Sequence, residues 1–222
     1  TQNNFFFGKQ AGISFTVDGP KINQEAEKHN TLQTIEGSIT QSSRMGNLLF
    51  YGGGDGSETF SDSKFHIYNR KHAEMPNSPI YGAGSSTQGG IVLPFYNDSS
   101  KFLILTTYGE DLGYNRGLRY SVINMNLYGG YGGIDSSQKN KIIRVPGLES
   151  VDVNGDTVFM TNEGISAINT CADNGYWIMV NGRISGKADH HICVFKFDSS
   201  GLHFKDTFNI GITGSGSFRF SP

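Results

Sequence analysis

The chain has little with which to bind by charge. Among its 222 residues no basic cluster is longer than the Arg70-Lys71 pair, and 18 Lys+Arg stand against 20 Asp+Glu, a formal charge of −2. Nothing in that pattern would track a phosphate backbone, so nucleic acid is excluded as an expected partner. No apolar run approaches the ~20 residues of a membrane helix, and no membrane span is expected. Cysteine is scarce too, with Cys171 and Cys193 alone. In a meander they fall two strands apart, roughly 9–10 Å at ~4.8 Å per strand, beyond the reach of a disulfide. Two free, buried thiols are expected. Helical periodicity is also missing. The polar segment 22–32, with Glu25, Glu27 and Lys28, reads as a loop with at most one helical turn.

Glycine and aromatics fill the space those absences leave. Thirty glycines are about twice the usual share, and 16 Phe with 10 Tyr carry much of the apolar mass. Glycine opposes helix and permits tight turns, while aromatic rings suit half-buried strands. GNLLFY at 46–51, FLILTT at 102–107 and GLRYSVINM at 117–125 are short strands set between Gly, Asn, Pro and Ser. Asn154-Gly155, Asn174-Gly175 and Ser200-Gly201 each separate two such runs, the signature of hairpins. Strand groups recur at about 50 residues, within the range of propeller blades. The fold expected is all-β, a β-propeller of about four to five antiparallel blades in a ring that need not be complete. Residues 1–222 are expected to form one such domain, cut short at its C-terminal end because 216–222 reads as the first strand of another unit.

The ordered series of segments resembles one family. It runs from 3–8 and Ala11-Gly12-Ile13-Ser14-Phe15 through Glu36-Gly37, GNLLFY, Tyr68-Asn69, Met75-Pro76-Asn77, 85–88 and 117–125 to Tyr176-Trp177 and 218–222. In that order it resembles the N-terminal propeller region of large secreted proteins of Bacteroidota, many of them carrying gliding-motility or type IX secretion sorting domains. The resemblance implies a propeller, export, a secreted or cell-surface location and further domains in a longer chain. It implies no shared catalytic residues. The chain departs from that pattern by longer loops at 52–63 and at 109–115, GEDLGYN. Loop length is where a rigid scaffold acquires specificity.

Motifs that promise chemistry have plainer readings. Asp152, Asn154, Asp156 and Glu163 have the ligand spacing of a calcium loop, but Thr157 stands where its glycine is required and the flanks are strands. An Asn-Gly hairpin accounts for the same letters. His190 and His191 are adjacent on a strand and point to opposite faces, and His66 and His72 lack accompanying ligands. No metal and no cofactor is expected. Gly214-Ser215-Gly216-Ser217 is not a nucleophile elbow, and 52–56 lacks the Lys-Ser/Thr of a phosphate loop. Trp177 is expected in the core.

The function expected from sequence is an exported, adhesin-like binding module that recognises glycan or protein through rim loops, with Asp55, Glu58, Asp111, Tyr114 and Arg116 as the site. Catalytic residues are not assigned. A propeller hydrolase or lyase acting on polysaccharide, with two converging carboxylates, is the alternative from another class. A structural spacer within a larger secreted protein is the third.

Overall fold

A computed structural model describes residues 3–23, 32–54, 64–108, 115–171, 173–211 and 219–220. Strand makes up 53% of the structure, and the helical pieces among the described residues are short 3-10 turns at Tyr128–Gly130 and Ser136–Gln138. The all-β expectation holds.

Consecutive strands build consecutive sheets. Sheet 1 is a three-stranded meander of β1 (Asn4–Phe7), β2 (Ala11–Thr16) and β3 (Gly19–Ile22). Sheet 2 orders β4 (Ser38–Ser42), β5 (Leu48–Gly54), β6 (Lys64–Asn69) and β7 (Ile80–Tyr81). Sheet 3 runs from β8 (Gly90–Pro94) through β9 (Lys101–Thr106) and β10 (Arg119–Asn124) to β11 (Gly133–Ile134), with β12 (Lys141–Ile142) also on β10. A small hairpin of β13 (Ser150–Val151) and β14 (Thr157–Val158) follows, the pair expected around Asn154-Gly155. Sheet 4 closes the chain with β15 (Met160–Asn169), β16 (Tyr176–Arg183), β17 (His190–Asp198) and β18 (Gly201–Gly211). Every pairing is antiparallel, as hairpin connections require.

The sheets lie face against face in an open row. First strands are neighbours: β1 against β4, β4 against β8, and β8 against β15. Three apolar layers fill the gaps. Phe6, Leu32 and Tyr51 pack between sheets 1 and 2, with the Phe6 and Tyr51 rings stacked at 4.5 Å. Phe50, Ile67, Phe102 and Ile104 lie between sheets 2 and 3, where Phe50 meets Phe102 edge to face at 5.2 Å. Leu103, Leu105, Ile178, Val180 and Phe195 fill the space between sheets 3 and 4. The alternation of a strand explains the arrangement. Tyr51 faces one layer and Phe50 the next; Phe102 and Ile104 point one way, Leu103 and Leu105 the other. A strand buried on both faces reads as a continuous apolar run, which is what FLILTT is.

This architecture overturns the propeller expectation. Among the described residues no sheet is closed or strongly curled, and they form no ring of blades. The physical reason lies in what a meander encodes. Local turns and alternation build four-stranded sheets equally well in a ring or in an open stack, while closure depends on sheet-to-sheet packing far apart in sequence.

Glycine permits the closest approach between segments. A Cβ on Gly84 would lie 2.8 Å from the Cα of Gly54, and one on Gly54 would strike the Gly84 backbone. The crossing lets 82–89 thread between sheets. There Thr34 Oγ1 donates to the Gly84 carbonyl, Thr107 Oγ1 donates to that of Gln88, and Gln88 Oε1 accepts from the Ile165 amide.

Candidate functional site

Three hairpin tips converge at one end of the stack. The β4–β5 turn is fixed by Ser43 and Asn47, whose backbones bond at 2.8 Å, and by Gly46 at φ 86°. The β8–β9 turn is fixed by Asp98, which accepts the Ser100 amide at 3.1 Å and the Ser100 hydroxyl at 2.6 Å, and pairs with Lys101 at 3.1 Å. Those bonds hold the Asp98 carboxyl below the usual carboxylate range, the Ser100 hydroxyl first and Lys101 next. The third tip precedes β16, where the Thr170 amide donates to the Gly175 carbonyl at 2.9 Å.

Between these tips lies a cleft of about 550 Å³. Phe95, Tyr96, Phe102 and Tyr176 form its aromatic walls, and Met45, Leu49, Pro94 and Met125 add aliphatic surface. Tyr96 and Tyr176 rings lie 5.2 Å apart at 42°, and Tyr176 continues onto Phe197 at 6.3 Å. Burial pushes the Tyr176 hydroxyl up to about 12, helped by its bond to Tyr96.

Most hydroxyls beside the cleft are already engaged. Ser42 Oγ accepts from Asn4 Nδ2 at 3.1 Å, and Ser43 Oγ accepts the Asn47 amide at 3.2 Å. Ser100 Oγ donates to Asp98 and accepts from Asn126 Nδ2 at 2.9 Å. Gln41 Nε2 donates to the Ser42 carbonyl at 2.7 Å. Arg44, exposed at the rim, is the charged residue among those lining the cleft. A cavity of this size with aromatic walls is the usual form of a small-molecule site.

Of the residues expected to form the site, Asp55, Glu58, Asp111 and Tyr114 lie outside the described residues. Arg116 is buried, its guanidinium 4.4 Å above the Tyr81 ring, and Arg119 lies 5.3 Å from the same ring. Arg119 Nη2 donates to Asp152 Oδ2 and to Asp156 Oδ2, each at 3.0 Å. Asp152 Oδ1 accepts the amides of Asn154 and Asp156 at 2.9 Å. The calcium-like spelling is thus a hairpin tied to sheet 3. Tyr108 belongs to the same region; its buried hydroxyl has no hydrogen-bond partner among the described residues, and burial raises its pKa. No group of three or more His, Cys, Asp and Glu among the described residues could hold a metal ion.

Several smaller expectations resolve differently. Both cysteines are free, but Cys171 is exposed and Cys193 buried. Trp177 sits on the outer face of sheet 4 beneath the Lys196 ammonium rather than in the core. His66 bonds Glu74 at 2.6 Å, His72 bonds the Tyr51 hydroxyl at 3.1 Å, and His190 bonds Asn162 at 2.7 Å.

The cleft residues escaped sequence reasoning because Met45, Tyr96 and Tyr176 come from three separate hairpins. One signal was available: Phe95-Tyr96 stands in a turn, where large aromatic side chains have no local reason to be.

Searches of protein-family models, curated proteins and solved structures find no match to the chain. The resemblance to the Bacteroidota propeller region is therefore corrected on two grounds, the open stack and the absence of any matching family. The adhesin-like and polysaccharide hydrolase or lyase readings fall with it, since each needs a ring with a rim and a channel. The spacer reading, drawn from the same resemblance, falls too. No helix is long and apolar enough to cross a membrane among the described residues.

Proposed function

We propose that the chain is a binding protein for an uncharged, apolar ligand with a flat aromatic portion, seated between the three hairpin tips. One observation carries this reading: the cleft is walled by four aromatic rings, while the Ser42, Ser43 and Ser100 hydroxyls and the Gln41 amide N–H beside it are engaged within the protein. A polar ligand entering there loses water and finds few fixed partners, a penalty of about 1–3 kcal/mol per unsatisfied group. A flat apolar ligand loses nothing comparable and gains ring contacts worth about 0.5–1.5 kcal/mol per aromatic pair. A protein partner could use the same cleft by presenting an aromatic side chain, and the same rings would receive it.

N-Phenyl-1-naphthylamine, uncharged and fluorescent in apolar surroundings, is a direct probe. It should titrate to a single saturable site, and Tyr176→Ala should weaken it about tenfold, equivalent to 1.4 kcal/mol. Ser99→Ala, which removes a hydroxyl and leaves the walls intact, should leave binding unchanged. Absence of saturation, or binding indifferent to Tyr176→Ala, would reject the cleft as the site.

A further inference from the structure

Neighbouring sheets approach most closely through their first strands and spread apart towards their last. Between sheets 3 and 4 this spreading opens a second cleft, of about 540 Å³, at the edge of the apolar layer they share. Leu103 and Val122 of sheet 3 and Phe195 and Phe197 of sheet 4 form its floor. Phe204 meets Phe195 edge to face at 5.8 Å, and Phe95 meets Phe197 in the same way at 5.0 Å. The charges around this floor are unevenly placed. Lys101 is tied to Asp98 at 3.1 Å, which neutralises that end. Asp135 donates its amide to the Val122 carbonyl, and its Oδ1 accepts the Ser137 amide at 2.9 Å and hydroxyl at 2.6 Å. Arg144 follows Ile143, whose amide donates to the Leu118 carbonyl. Leu118 lies four residues before Val122, roughly 13 Å away at the rise of a strand. Arg144 is exposed and makes no hydrogen bond or ion pair among the described residues. Gln138 accepts from the Tyr120 hydroxyl at 3.1 Å, and its amide N–H groups have no partner there either.

We propose that this second cleft binds an anionic amphiphile, a medium-chain carboxylate with its head on Arg144 and its chain along Leu103, Val122 and Phe204. Of the two cations lining the cleft, Lys101 has its counter-charge and Arg144 has none among the described residues. A guanidinium offers a carboxylate two parallel N–H donors, and the free amide of Gln138 lines the same cleft. Along the floor, each methylene removed from water favours binding about fourfold. An uncharged chain would gain the floor and leave those donors unused, while a cation would be repelled by Arg144. Asp135 stands well along the strand from Arg144, with one oxygen taken by Ser137, so it does not cancel the charge that the head meets. The site is distinct from the cleft between the hairpin tips, although Phe95 stands in the wall of both.

The test is calorimetric titration with sodium octanoate and with 1-octanol, the same chain length without the charge. Octanoate should saturate one site per chain, and Arg144→Gln should weaken it about tenfold while changing octanol binding less than about twofold. Arg144→Lys, which keeps the charge and loses the fork of donors, should recover part of that loss. Phe204→Ala should weaken both ligands, and Tyr176→Ala, in the other cleft, should weaken neither. Arg144 is exposed, so its variants decide the matter even if Phe204→Ala loosens sheet 4, which circular dichroism would reveal. Octanoate that does not saturate overturns the proposal, as does octanoate binding indifferent to Arg144→Gln. Octanoate binding lost with Tyr176→Ala and kept with Phe204→Ala would put the carboxylate between the hairpin tips and overturn it equally.

Discussion

Replacing Asp152 by alanine should be among the most damaging single changes in the protein. Its carboxylate is fully buried and ties the β13–β14 hairpin to Arg119 of β10, while its other oxygen accepts two turn amides. Removal leaves the Arg119 guanidinium, itself nearly inaccessible, with the carbonyls of Arg116 and Asn140 and, as its counter-charge, the half-exposed Asp156. Breaking a buried pair by deleting one partner costs about 3–5 kcal/mol, because the surviving charge stays out of water. For a chain of this length that is a fall of roughly 6–20 °C in melting temperature. Asp156→Ala removes the same nominal ion pair on its solvent-screened side and should cost no more than about 1 kcal/mol. Replacing Arg119 by methionine in the Asp152→Ala background should recover part of the loss by removing the stranded charge. Urea unfolding followed by circular dichroism gives all three values, provided the slopes agree. Equal, small losses for Asp152→Ala and Asp156→Ala would refute the claim that burial decides the strength of this network.

Three further outcomes follow from the geometry. Gly84→Ala should destabilise by about 1–3 kcal/mol in the same urea assay, because its Cβ would press on the Gly54 backbone rather than on a yielding side chain; a neutral result would show that the crossing can relax. In the native protein, Ellman's reagent at pH 8 should report one thiol per chain: Cys171 is exposed, while burial pushes the Cys193 thiol up to about 12. Two prompt thiols would contradict that burial. Stability should also fall as pH rises from about 10 towards 12. Over that range the unfolded chain releases the tyrosine protons that folded Tyr108 and Tyr176 retain, their pKa values being raised mainly by burial. Urea midpoints across this range that do not decline would contradict the raised values.

Strand identity was legible because it is local. FLILTT and GLRYSVINM form Lys101–Thr106 and Arg119–Asn124, and GNLLFY opens Leu48–Gly54, each within one to three residues of its expected limits. The hairpins at Asn154-Gly155 and Ser200-Gly201 form as their turn residues require. What failed is what alternation does not contain. Pro20 and a short run hid β3, which lies at the edge of sheet 1, where a missing amide is tolerated. Alternation assigns Trp177 a side of its strand, but not whether another sheet covers that side. Arg116 lies among loop residues in sequence yet is buried on Tyr81, a partner supplied by another sheet. The cleft was illegible for the same reason, since its opposed tyrosines are brought together by the packing of sheets 3 and 4.

The stacking of contiguous meanders has a mechanical consequence. Each sheet is made from an unbroken stretch of chain and is glued chiefly to its immediate neighbours in the row. Such a molecule is close to one-dimensional: its resistance to unfolding is a sum of layers and of the seams between them. Pulled from its ends, it should shed sheets in succession rather than collapse at once, with sheet 1 the first to leave. That sheet has three short strands and one thin seam, centred on Phe6 and Tyr51. During synthesis the same order runs forward. Sheet 2 can complete before sheet 3 has emerged, and each new layer meets a finished surface on which to settle.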